Sequence, residues 1–258
     1  MGTAQPSGGT RAGVHRVPGC DKLRRQQRCG RAAPRHTSGH VPVLFIGNSL
    51  TYVNDLPGTV AALAGSANLT IHVATVARPS LALIDHVEGS SNALDMIRQG
   101  DWNYVVLQQG PSALPLSRDT LLLATRLLNA QIRAVGARSA LLMVWPESSR
   151  FAVFDAVRDS YRAAAADVAG LFLPAGEGWR SAWAADPEFP LYGPDGYHPS
   201  ELGTYRAALV VYEGITGNDS RALPDQAIVG GRHLSLAESR VRMLQDAAHQ
   251  TVIRFRGK

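Results

Sequence analysis

From position 41 onward the apolar residues fall into short blocks, whereas residues 1–40 show no apolar period. Val41-Pro42-Val43-Leu44-Phe45-Ile46 is an unbroken run ending at Gly47. That is how a parallel strand buried on both faces reads. Residues 56–67, rich in Ala, Leu and Val with Pro57 in the first turn, predict a helix. Residues 69–76 predict the next strand, and a turn at Arg78-Pro79-Ser80 leads to a helical stretch at 92–98. Strand 104–107, helix 117–134, strand 140–145, helix 153–169 and strand 171–173 follow, then helices at 200–215 and about 235–255. The last opens on a capping-box pattern, Ser235-x-x-Glu238. Five strands alternating with helices, without an internal repeat, predict an α/β protein. Its expected form is a three-layer α/β/α sandwich around a five-stranded parallel sheet. Chemistry in such sheets gathers at the carboxyl ends of the strands.

Composition is that of an ordinary globular chain, 45% apolar and 18% charged over 258 residues, which suits one full α/β domain at 41–258. The formal charge of +5 suggests an acidic partner until its distribution is read. Residues 1–40 carry eight Lys/Arg against one acid, and residues 41–258 carry eighteen against twenty. The excess therefore belongs to a Gly-, Arg- and Pro-rich tail expected to be disordered, and no nucleic-acid partner is expected of the domain. No apolar run of signal-peptide type follows the basic residues, and no stretch has the length of a membrane span. The expectation is a cytoplasmic rather than secreted protein. Both cysteines, Cys20 and Cys29, lie in the tail without histidines at ligand spacing. Neither a clustered metal-ligand set nor a Gly-rich phosphate loop is present. No metal and no cofactor are expected.

Candidate chemistry begins at Gly47-Asn48-Ser49-Leu50-Thr51, just past the first strand. The G-x-S-x-G elbow is absent, and by itself a serine here is more often a cap or turn former. Asp195-Gly196-Tyr197-His198-Pro199-Ser200 then places an acid three residues before a histidine, in a turn ahead of a helix. Asp195 there can hold the imidazole nitrogen that faces away from a serine, which is what a hydroxyl nucleophile needs of its base. Together the two loops propose Ser49 as nucleophile, His198 as base and Asp195 as orienting acid.

VLFIGNSLTYVNDLP resembles the first block of the SGNH/GDSL hydrolase superfamily, and GPDGYHPSELG its last block. The resemblance spans almost all of residues 41–218, closest to a bacterial branch with GNS and VVLQ blocks. It implies a flavodoxin-like sandwich without metal, an acyl-serine intermediate, and ester substrates, often with short acyl groups on sugars. Two blocks depart from the pattern. Pro79 has no N–H to offer an oxyanion, which leaves Ser80 as donor beside the Ser49 N–H. The third block reads Tyr104-Val105-Val106-Leu107-Gln108-Gln109, so a glutamine stands in for the asparagine. Gln108 or Gln109, with Gln108 preferred, is the expected side-chain donor. Asn48, Trp145 and Glu147 are weaker candidates for contacting substrate. His86 reads as cleft-facing or as packing, and Glu177, Trp179 and Trp183 as a sugar platform or as core. The alternatives to an esterase are a thioesterase or lysophospholipase, and a catalytically weak module that binds a carbohydrate or a partner.

Overall fold

The computed structural model describes residues 1–2 and 40–256. The basic tail and its two cysteines lie outside the described residues. The first unit is β1 (His40–Gly47), a short α1 (Ser49–Tyr52), α2 (Leu56–Ser66) and β2 (Thr70–Ala77). Then come α3 (Leu83–Val87), α4 (Ala93–Gln99), β3 (Tyr104–Leu107), α5 (Pro115–Ala134) and β4 (Arg138–Leu142). A 3-10 segment, Ser148–Val153, precedes α6 (Phe154–Asp167), β5 (Leu171–Leu173) and α7 (Ala175–Ala185). The chain closes with α8 (Glu201–Thr216), a small hairpin of β6 (Ile228–Val229) and β7 (Arg232–His233), and α9 (Glu238–Phe255).

The five main strands form a parallel sheet in the order β2-β1-β3-β4-β5. Ile46 stands opposite Val76 on one side and Leu107 on the other. The connection from β1 to β2 steps one way across the sheet, and those from β2 onward step the other way. Right-handed crossovers therefore place the connecting helices on opposite faces. Accordingly α2 packs on α8, while α5 packs on α3, α4 and α6. The reversal occurs at β1, between β2 and β3, so the crevice beyond β1 and β3 is the place for a site.

Besides the short α1 and α3 and the β6–β7 hairpin, which the sequence pattern does not predict, three elements differ from the expectation. Strand β4 ends at Leu142 and α9 begins at Glu238 with Ala237 at its N-cap. The Ser235–Glu238 capping box does not form, because Leu234 and Leu236 pack against the core and Leu234 N donates to Ala227 O, holding the preceding segment outside the helix. The third is α7, which the apolar pattern of residues 175–185 does not announce. There Trp179 and Trp183 lie one turn apart. Trp179 is buried, stacked on Trp145 with ring centroids 3.5 Å apart, and its Nε1 donates to Gly203 O. Trp183 meets Trp179 edge-on and donates from Nε1 to Phe189 O. Trp179 is core, and Trp183 is partly buried and packs against it.

Helix α8 is buried over nearly its whole length, Gly203 to Glu213, and it takes Arg206 inside with it. The guanidinium is fully buried, with Nη2 3.3 Å from Thr251 Oγ1 and neither Nε nor Nη1 partnered. Burial pulls its pKa down to about 9. A buried charge with this few partners opposes folding. Arg206→Met should therefore leave stability unchanged or raise it by roughly 1–4 kcal/mol, read from denaturant unfolding. A loss of several kcal/mol would show that the guanidinium is better satisfied than its geometry states.

Candidate active site

The turn after β1 rests on a buried side-chain amide. Gln108, the first residue beyond β3, is fully buried, and its Oε1 accepts from the Asn48 N–H (3.0 Å) and the Thr51 hydroxyl (2.7 Å). Its Nε2 donates to Gln109 O at 2.6 Å. Position 47 must be glycine for this to fit, since a Cβ there would collide with Gln108 Oε1 and Thr51 Oγ1. The Gly47 carbonyl accepts from Arg78 N (3.2 Å) and from His86 Nε2 (3.0 Å). A donating Nε2 leaves His86 Nδ1 to accept from the Ser91 hydroxyl at 2.7 Å. Burial lowers the His86 pKa, so the ring is a neutral strut under the turn. Asn48 caps α1 by accepting from Leu50 N through Oδ1, and its Nδ2 donates to Leu81 O at 3.1 Å. That bond seats the turn containing Ser80 beside the loop of Ser49.

Ser49, the first residue of α1, is partly exposed. Its Oγ lies 2.9 Å from His198 Nε2, across 149 residues of chain. On the far side of the ring, Nδ1 lies 2.5 Å from Asp195 Oδ2. The other Asp195 oxygen accepts from the backbone N–H groups of Tyr197 and His198 at 3.0 and 2.9 Å. The His198 hydrogen bond, followed by that from Tyr197, lowers the Asp195 pKa to about 2. The carboxylate is thus ionised at any working pH, and it fixes the imidazole with Nδ1 protonated and Nε2 turned to Ser49 as acceptor.

The remaining candidates divide between the crevice and its supports. Ser80 is exposed and left-handed (φ 61°). Among the hydrogen bonds of the described residues, neither its backbone N–H nor that of Ser49 donates to another group. Both glutamine amides are engaged below the site. Gln109 Oε1 accepts from Leu83 N at 3.0 Å, and its Nε2 donates to Ser112 Oγ at 2.7 Å. Asn48 is buried in the loop bonds already given. Trp145 is buried and donates from Nε1 to Tyr197 O at 3.0 Å, holding the His198 loop. Glu147 is exposed beside that loop, where Ser148 N donates to Gly196 O at 2.8 Å. Glu177 is buried and paired with Arg180 at 3.0 Å. Two residues of the site do not stand out in the sequence. Thr51 offers only its spacing of two from Ser49, and Asn54 is one of two consecutive left-handed residues before α2. The described residues contain one cluster of potential metal ligands, Glu213, Asp219 and His249. It sits at the opposite end of α8 from His198, and its carboxylates already accept from Ser220 and Arg221.

The five-stranded parallel sheet flanked by helices is the three-layer α/β/α fold shared by solved SGNH hydrolases. The chain belongs to the SGNH/GDSL hydrolase superfamily. Among solved structures it is similar to a protein from Slackia heliotrinireducens named as a candidate SGNH hydrolase. The two are 26% identical over 68% of this chain and 99% of that one, with a TM-score of 0.59. A DUF4886 family protein from Bacteroides uniformis shares the fold more extensively, at TM-score 0.71 and 18% identity over 85% of this chain and 96% of that one. The psychrotrophic esterase EstA from a Pseudoalteromonas species shares it at TM-score 0.54 and 13% identity over 68% and 97% of the two chains. No protein-family model and no curated protein matches the chain.

The hydrogen bonds of Gln108 make its replacement diagnostic. In Gln108→Leu the Asn48 N–H and the Thr51 hydroxyl lose their acceptor, at roughly 1–3 kcal/mol for each buried group left unpartnered. Stability and turnover should fall together. A variant with lowered kcat and an unchanged melting temperature would instead mark Gln108 as an oxyanion donor.

Proposed function

We propose that the protein is a serine ester hydrolase that cleaves small or carbohydrate-linked acyl esters through an acyl-serine intermediate. The observation that carries this reading is the continuous chain Ser49 Oγ–His198 Nε2–Asp195, at 2.9 and 2.5 Å. His198 takes the Ser49 proton as Oγ adds to the ester carbonyl, and Asp195 stabilises the imidazolium that forms. The negative charge gathering on the carbonyl oxygen is met by the free N–H groups of Ser49 and Ser80. The imidazolium then protonates the departing alcohol. A water molecule, deprotonated by the same ring, releases the acid and restores the serine. The side chains of His198 and Asp195 are 33% and 51% exposed, so the site opens at the surface, where a large alcohol portion such as a sugar can project outward.

Ser49→Ala and His198→Ala should abolish most turnover of p-nitrophenyl acetate, and Asp195→Asn should lower kcat by up to roughly 10⁴-fold. Wild-type turnover in His198→Ala would exclude this base. Activity should decline as the acyl chain of the p-nitrophenyl ester is lengthened. A steady rise with chain length would favour a thioesterase or lysophospholipase instead.

The pH dependence follows from the carboxylate that orients the base. Its hydrogen bonds hold Asp195 at about 2, so the ionised form that pairs with the ring persists until the pH falls to that value. The Asp195 carboxyl should therefore titrate well below the ordinary aspartate range, read from its carbon chemical shift against pH. A midpoint at the ordinary aspartate value would contradict the assignment.

A further inference from the structure

The proposed chemistry needs Ser49 and His198 to meet at bonding distance, although they come from loops at opposite ends of the chain. The Asp195–His198 pair is local, three residues apart within one turn, and forms without help from the Ser49 loop. We propose that Asn54 is the positioning residue that sets His198 against Ser49. This rests on the catalytic reading above. Asn54 Nδ2 donates to Pro199 O at 2.9 Å and to Thr204 Oγ1 at 3.1 Å. Thr204 Oγ1 in turn donates to Ser200 O, which leaves its lone pairs free to accept. Among the described residues these two bonds, with Ser49–His198 itself, are the hydrogen bonds that join residues 47–55 to residues 195–204.

The backbone explains why an asparagine serves here. Asn54 and Asp55 are both left-handed, at φ 56° and 53°, a conformation that Asn and Asp tolerate better than other side-chain-bearing residues. The reversal lets Asp55 cap α2 by accepting from Gly58 N at 3.0 Å, while the Asn54 side chain reaches across to the base loop. That loop has three consecutive carbonyls, each with a donor. Trp145 Nε1 holds Tyr197 O, Gly193 N holds His198 O, and Asn54 Nδ2 holds Pro199 O. The first two donors come from the β4 edge and from the loop itself. Only the third belongs to the nucleophile's side of the site.

Asn54→Gly is the direct test, because glycine tolerates the left-handed backbone and removes the side-chain amide. A misplacement of about 1 Å can cost roughly 10²-fold in rate. A loss of that order is expected in kcat for ester hydrolysis with KM little changed, and in the rate at which a fluorophosphonate labels Ser49. The downfield proton resonance of His198 Nδ1–H should persist, since the Asp195 contact is local. Asn54→Asp, which tolerates the same backbone but offers no donor to Pro199 O, should behave like Asn54→Gly. Labelling of Asn54→Gly at the wild-type rate would overturn the proposal while the catalytic reading stood. So would disappearance of the His198 resonance, which would mean that the loop had come apart and the role was structural. A wild-type protein that is not labelled at Ser49 would instead remove the catalytic reading, and this inference with it.

Discussion

A buried amide oxygen holds the two central strand ends in register with the site. Oε1 of Gln108 accepts from the Asn48 N–H and the Thr51 hydroxyl, and so ties the end of β3 to the first turn after β1. In a water-free interior an unpartnered acceptor or donor is costly, so these bonds form together or not at all. Gly47 lacks a side chain because this amide occupies the space. His86 completes the arrangement by donating to Gly47 O from the other side. Ser49 is left on a fixed turn at the point where the sheet order reverses.

The loop of His198 is stiffened by a different means. Asp195 caps its own turn through two backbone N–H groups and fixes the imidazole through its second oxygen. The carboxylate is half exposed and still carries a pKa lowered to about 2, because it accepts three hydrogen bonds in its ionised form. Buried Trp145, stacked on Trp179, anchors the same loop through Tyr197 O. The nucleophile and base loops are thus each rigid by themselves, and the bonds of Asn54 join them.

Much of this is legible in the amino-acid sequence. Strand β1 from Val41 onward and strand β3 are apolar because both faces are covered, and such runs announce themselves. Ser49, Asp195 and His198 can be grouped because their loops carry turn residues and chemistry at the places a parallel sheet predicts. What stays hidden is the partner of each polar side chain. Gln108 reads as a donor to substrate, yet its bonds reach 57 and 60 residues back along the chain. Asn54 bonds 145 and 150 residues ahead. No local pattern encodes contacts at such separations. The capping box at Ser235 shows the converse, a local signal overruled by the packing of Leu234 and Leu236.

The central claim is that Ser49 carries the acyl group during turnover. Rapid-quench mass spectrometry with p-nitrophenyl acetate, followed by peptide mapping, reads this directly. The account predicts an acetyl adduct on the peptide containing Ser49 within the first turnover, and none in the His198→Ala protein. An adduct on another residue would contradict it, as would steady hydrolysis with no adduct at any quench time.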